Sequence, residues 1–360
     1  MFEARMAAVR SRMDDDGVDV LLVSVGADLP YLTGYEAMPL ERLTMLVVPR
    51  GGAATLVVPR LEAPRVVEQP EVFDVRAWDE IEDPVDIVAT LGGRPRRVAI
   101  GDQTWARFVL ALQDRWPTVE MVAASTLTGP LRAQKDATEV AALRAAARAV
   151  DAVVADMATR PFAGRTEVDL SREFVERMLD AGHDEANFAI VASGPNGASP
   201  HHTPGRRVVE AGDVVVCDFG GRMAGYCSDI TRTFVVGEAP DGFAEAFAGL
   251  EDAQRAAVEA VRPGATCASV DAAARRRIAQ AGYGDAFIHR TGHGIGLEAH
   301  EEPYIVEGNV AVLRPGHAFS VEPGIYFPGR FGMRIEDIVV VTDSGVEALN
   351  TASHAVYEVA

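Results

Sequence analysis

VVVCDFGGRMAGYCSDITRTFVV (residues 214–236) decides the reading of this chain. Its apolar run ends in Asp218, where an acidic side chain is expensive to bury without strong partners. The glycine-rich GGRMAG follows, and then a second strand-like run with Asp229 near its start. Paired antiparallel, the two runs bring Asp218 and Asp229 face to face and send Cys217 to the opposite side. Two carboxylates that close repel, and one of them holds its proton unless a cation lies between them. A bridging metal ion resolves the conflict.

Three later residues fit the same chemistry. Glu336 lies in FGMRIEDIVVV (331–341), read as one strand, and shares a face with Arg334 and Ile338. Asp337 points the other way, so the strand alone leaves open which acid is the ligand. Glu322 sits in HAFSVEPGIY (317–326) before Pro323, where a strand must give up its pattern. His293 is flanked by Gly292, Gly294 and Gly296, which suit either a crowded site or a surface loop. Asp218, Asp229, Glu322 and Glu336 would be neutralised by two divalent ions, whereas one ion would leave surplus negative charge. One imidazole among carboxylates departs from a structural zinc site. Manganese or cobalt suits such oxygen-rich ligands, with zinc or iron still open.

The bulk numbers bound the rest. At 360 residues the chain is expected to hold a large domain and a smaller one. A net charge of -19 with no basic stripe argues against nucleic-acid binding. No apolar run approaches the roughly 18 residues of a membrane helix, and the charged N-terminus lacks a secretory pattern. Cys217, Cys227 and Cys267 follow no disulfide or paired-cysteine spacing, so a reducing cytoplasm is expected.

The N-terminal part alternates short elements: a helix over residues 1–16, a strand at GVDVLLVSV, a hairpin around residues 49–52, and a strand–helix–strand unit over 97–123. None of it carries a cluster of metal-binding side chains. STLTGPLRAQKDATE, polar and containing Gly129 and Pro130, marks the domain boundary before a long helix that Asp136 or Thr138 would cap. Domains are therefore expected at 1–130 and 131–360. Further helices are expected at 167–181 and 245–261. The stretch from Ala181 to Val208 has the glycine and proline density of loops joined by short strands, and no internal repeat is visible.

Together with HRTGHGIGLEAHEEPY (289–304) and GMRIEDIVVV (332–341), the 214–236 and 317–326 stretches resemble, in order, the metallopeptidases that include prolidase, aminopeptidase P and methionine aminopeptidase. The resemblance implies an α/β (α+β) architecture: a small creatinase-like mixed-sheet N-terminal domain followed by a pita-bread catalytic domain. It also implies Asp218 as a chelating ligand of one metal, Asp229 and Glu336 as bridging ligands, and His293 and Glu322 as ligands of the other. His201, His300 and Arg334 correspond to substrate or transition-state groups, with His202 a competitor for the role of His201. Creatinase shares the fold but lacks this metal set. The sequence HEEPY does not complete an HExxH motif.

The implied reaction is hydrolysis of the bond between an N-terminal residue and proline. Water activated between two cations would be the nucleophile. Glu322 would relay a proton, and His300 would assist the polarised carbonyl. The N-terminal domain favours the proline-specific branch, and the chain's length fits compact prolidase-like members, so an Xaa-Pro dipeptide is the leading substrate. Aminopeptidase P action on longer Xaa-Pro-Yaa peptides, a related amidohydrolase or a non-catalytic scaffold are the alternatives. The family also implies a homodimer.

Overall fold

A computed structural model describes residues 1–360, and the chain divides into two compact units, Met1–Arg132 and Ala133–Ala360. No helix is long and apolar enough to cross a membrane.

The first unit is built on six strands: β1 (Val20–Val23), β2 (Met45–Pro49), β3 (Ala54–Pro59), β4 (Phe73–Trp78), β5 (Arg97–Ile100) and β6 (Glu120–Ala123). Their order is β4-β3-β2-β1-β5-β6. The β1–β2 and β2–β3 pairs are antiparallel and the others parallel, so the sheet is mixed. Helices α1 (Phe2–Asp15), α2 (Asp28–Thr33), α3 (Pro84–Gly92) and α4 (Ala106–Arg115) accompany it. Leu22, Val47, Val57, Val88 and Leu112 form part of its core. The polar stretch read as the domain boundary is helical in its first part, Ser125–Ala133 forming helix α5. Leu127 is buried, and Thr128 and Arg132 both bind the Asp28 carboxylate, at 2.9 Å each. That anchoring outweighs Gly129 and Pro130.

The second unit contains two similar halves that were not visible in the sequence. Helices α6 (Ala137–Met157) and α7 (Glu167–Asp180) accompany β7 (Glu185–Ser193), β8 (Val214–Met223), β9 (Tyr226–Cys227) and β10 (Ile230–Val236). Helices α8 (Phe243–Ala260) and α9 (Cys267–Gln280) accompany β11 (Gly292–Gly294), β12 (Glu301–Ile305), β13 (Ala318–Val321), β14 (Gly324–Phe327), β15 (Phe331–Arg334), β16 (Asp337–Val341) and β17 (Val346–Ala348). Strand β18 (Tyr357–Val359) joins the first sheet as β18-β10-β8-β7, and the second runs β12-β11-β13-β16-β17. Thr166 caps α7 and bridges Val208, while Thr266 caps α9 and bridges Val312. Phe162, Phe174, Phe219 and Phe234 fill one core, and Phe243, Leu250, Ile278 and Phe319 belong to the other. The backbones of Thr231 and Glu336 pair and join the two halves.

Asp136, not Thr138, caps α6. Its carboxylate accepts from the backbone N–H groups of Thr138 and Glu139, and Glu139 returns a bond to the Asp136 N–H. Asp136→Ala should cost about 1 kcal/mol, read as a lower urea midpoint for the second unit.

Candidate metal centre

Asp218 lies at the centre of a row of side chains crossing one sheet face. Ile190 on β7 and Thr231 on β10 are its register partners, and the Thr231 backbone in turn bridges Glu336. The expected face-to-face pairing of Asp218 with Asp229 is therefore corrected: Asp229 stands two residues before Thr231 on the same face, diagonal to Asp218. The reason is the two-residue turn at Ala224 and Gly225, which sets one register along the whole hairpin, Arg222 opposite Cys227 and Asp218 opposite Thr231. Gly220 allows the two strands to approach closely beside Asp229, because a Cβ there would lie 2.2 Å from the Ser228 carbonyl oxygen. The hairpin itself turns at Ala224 and Gly225, both at positive φ.

The FGMRIEDIVVV stretch is two strands, β15 and β16, separated at Ile335 and Glu336. This separation places Glu336 toward Thr231, whose Oγ1 donates to Oε2 at 2.7 Å. Asp337 is committed elsewhere. The buried Arg232 donates to its Oδ1 at 2.7 Å, and His354 Nε2 lies 2.5 Å from Oδ2. His293 is the middle residue of β11, and its glycines serve close packing. A Cβ on Gly292 would meet the Ser320 carbonyl oxygen at 1.8 Å, and one on Gly294 the Glu302 carbonyl oxygen at 2.2 Å. Glu322 directly follows β13.

All five predicted ligands converge. Donor atoms of Asp218, Asp229 and Glu336 lie within 4.8 Å of one another, as do those of His293, Glu322 and Glu336. His300 also comes within that reach of Asp229 and His293. His293 Nδ1 donates to the Gly294 carbonyl at 3.1 Å, which leaves the Nε2 lone pair facing Glu322 Oε1 at 3.2 Å and Asp229 Oδ2 at 3.8 Å. A lone pair facing two carboxylates needs a cation between them, a proton in the metal-free protein or a metal ion. Asp218 Oδ1, Asp229 Oδ1 and Glu336 Oε1 are buried without any hydrogen-bond partner, although Asp218 and Glu336 are each anchored through the other oxygen. This donor set fits two divalent ions, with Glu336 common to both groups.

The electrostatics agree. Burial, then repulsion from Asp218 and Glu322, pushes Asp229 well above the ordinary carboxylate range. Burial, then Asp229 and Glu322, does the same to Glu336. Asp218 is raised by burial against the opposing pull of Arg334. Glu322 differs. Burial would raise it, but the hydrogen bond and charge of His293 bring it down to about 2.

Arg334 stands behind Asp218 and is itself 2% exposed. Its guanidinium donates to Asp218 Oδ2, to Thr231 Oγ1 at 3.0 Å and to Tyr326 Oη at 2.7 Å. His289 Nδ1 donates to the Arg290 carbonyl, so Nε2 accepts the Tyr326 proton at 2.8 Å. Burial holds the His289 pKa down to about 4 and the Tyr326 phenol up to about 12. Thr231, His289 and Tyr326 were absent from the sequence reading. Only the spacing of Thr231 from Asp229, two residues along one strand, offered a signal.

His201 and His300 line the same cavity of about 460 Å³ as the five ligands and Arg334. His202 faces away and binds the buried Glu167 carboxylate at 2.8 Å. Glu167 also accepts from the Ser193 N–H, the Asn196 amide and the Gly205 N–H, and so fastens both ends of the loop carrying His201. Phe188, Ile190 and Pro200 give the cavity an apolar wall.

A two-unit chain with this carboxylate–imidazole centre defines a metallopeptidase architecture. Residues 141–343 match the metallopeptidase family M24, and residues 5–134 match the creatinase/prolidase N-terminal domain. The chain belongs to the M24 family, and its fold is a creatinase-type mixed-sheet domain followed by a pita-bread catalytic domain. It is similar to the probable dipeptidase PepE of Mycobacterium tuberculosis (strain ATCC 25618 / H37Rv), at 45% identity over 98% of this chain and 96% of that one. Similarity to the Xaa-Pro dipeptidase of Lactobacillus helveticus is 33% over 92% and 93% of the two chains. The crystal structure of dipeptidase PepE from Mycobacterium ulcerans superposes with a TM-score of 0.93, at 45% identity, covering 99% of this chain and 98% of that one.

The raised carboxyls make a prediction for the metal-free protein. Asp229 and Glu336 keep their protons to higher pH in the fold than in the unfolded chain, whose carboxyls titrate near 3.8 and 4.5. Stability should therefore fall as pH rises from 5 to 8 after chelation. Glu322 acts in the opposite sense only below that window, between 4.5 and about 2. Thermal unfolding should show Mn²⁺ raising Tm more at pH 8 than at pH 5. An equal rise at both values would contradict the assigned repulsion.

Proposed function

We propose that this chain is an Xaa-Pro dipeptidase working with two divalent ions, manganese or cobalt by ligand hardness. The carrying observation is the convergence of Asp218, Asp229, His293, Glu322 and Glu336, with three unpaired buried oxygens, at a cavity of about 460 Å³. In this reading Asp218 would hold one ion, His293 and Glu322 would hold the other, and Asp229 and Glu336 would serve both. When bound, the ions supply an activated water and polarise the scissile carbonyl.

The chain's own groups do the remaining work. Glu322, hydrogen-bonded by Ser320 at 3.2 Å, passes the water's proton toward the leaving nitrogen. His300 steadies the developing charge on the carbonyl oxygen, and His201 holds the ligand beside the scissile bond. Arg334 fixes one oxygen of Asp218 and leaves the other for metal. A proline nitrogen after the scissile carbonyl has no N–H to recognise, so shape must select it. Ile190 beside Asp218, with Phe188 and Pro200, offers an apolar surface for the ring. The three buried free cysteines suit a reducing cytoplasm, and a homodimer is the assembly expected from the family.

The test is turnover of Xaa-Pro dipeptides, Xaa-Pro-Yaa peptides and proline-free controls by enzyme of measured metal content. Cleavage should favour Xaa-Pro dipeptides, and no cleavage of any Xaa-Pro compound by a fully metallated enzyme would overturn the reading. Glu322→Gln should lower kcat by about 10² or more. Asp218→Ala should also reduce bound metal, measured by elemental analysis.

A further inference from the structure

Lys135 is the only lysine among the chain's 34 basic residues, and it is buried. Its ammonium donates to Glu301 Oε1 at 2.5 Å, the two side chains being 1% and 7% exposed. A buried ion pair is a poor source of stability, because removing both charges from water offsets their attraction and an apolar pair of similar volume often packs as well. Its geometry is the better guide to its use. The Lys135 N–H donates to the Gly316 carbonyl at 2.8 Å, and the next residue, Asp136, caps α6. Glu301 opens β12 opposite Gly294 of β11. A Cβ on Gly296 would meet Glu301 Oε1 at 2.5 Å and Lys135 Cε at 3.1 Å, so the pair packs against the segment that joins the two strands. A compact ammonium suits that space better than a planar guanidinium.

His300 is the last residue of that segment and the chain neighbour of Glu301. Its ring centre lies 3.9 Å from that of His293, and its donor atom comes within 4.8 Å of that of Asp229. The residue is itself exposed, so the backbone beside it has to set where the ring stands. We propose that Lys135 and Glu301 are positioning residues for His300, fixing where its imidazole meets the carbonyl oxygen of the substrate; the inference rests on the peptidase reading above. Neither residue lines the cavity. They act by holding one end of the β11–β12 segment to the start of α6. A group that stabilises developing charge must stand within a narrow distance of it, and a misplacement of about 1 Å costs roughly a hundredfold in rate.

The experiment measures kcat, KM and metal content for Lys135→Met, alone and combined with His300→Ala. The single substitution should lower kcat about tenfold to a hundredfold, with metal content unchanged and KM within about threefold of wild type. In the His300→Ala background it should cost less than about twofold, because the group it positions is gone. An unchanged kcat in the single variant, or a full further loss in that background, overturns the proposal. Lys135→Met combined with Glu301→Leu covers the case in which the single variant unfolds. The apolar pair should keep Tm near that of wild type while kcat stays low, and recovery of kcat together with Tm marks a purely structural pair and overturns the proposal. Nuclear magnetic resonance of metal-loaded protein labelled with ¹⁵N-histidine separates this role from the substrate reading. The His300 signals should shift on Lys135→Met while those of His202, bound to Glu167, stay in place. Unmoved His300 signals overturn the positioning role whatever the substrate, whereas failure to cleave any Xaa-Pro compound overturns the substrate reading and leaves those signals to decide the pair.

Discussion

A single buried guanidinium holds the candidate metal centre in register. Arg232, 1% exposed, donates to the carbonyls of Thr231 and Glu336 at 2.9 and 2.6 Å, to Asp337, and to the Ala352 and Ser353 carbonyls at 2.9 Å each. These bonds tie β10, the start of β16 and the C-terminal segment at one point. They also settle a choice between adjacent acids. Asp337 is held below the usual carboxylate range, burial being outweighed by the charges of Arg232 and His354, and becomes structural. Glu336 keeps one oxygen free. A buried charge with every donor used is strongly coupled to its surroundings, because losing one partner strands the others.

Around that fixed point the protein tolerates an arrangement its own electrostatics oppose. Asp218, Asp229 and Glu336 cluster out of water with only one cationic side chain, Arg334, directly bonded among them. Packing of both cores and the Thr231–Glu336 bridge supply the restraint. Preorganised repulsion is useful here: it makes the empty site costly and the filled one favourable.

The candidate ligands were legible in the sequence because acids ending apolar strands, and a histidine among glycines, conflict with ordinary core patterning. Asp218, Asp229, His293, Glu322 and Glu336 all reach one site. Their exact placement was less legible. Apolar alternation runs through Ile335–Glu336 without marking the break, which arises from contacts distant in sequence. Thr231, Tyr326 and Arg232 were silent for the same reason, since their roles depend on partners up to 121 residues away. Helix α5 was hidden because turn-forming Gly129 and Pro130 gave no hint of the Asp28 anchor. The repeated halves share architecture and capping threonines, while their side chains have diverged too far for pattern reading.

The two-half construction also has a temporal consequence. Asp218 and Asp229 come from the first half, whereas His293, Glu322 and Glu336 come from the second. During synthesis the chain can complete its first sheet core long before a full ligand set exists. A complete set of candidate ligands therefore exists only in molecules whose halves have already joined.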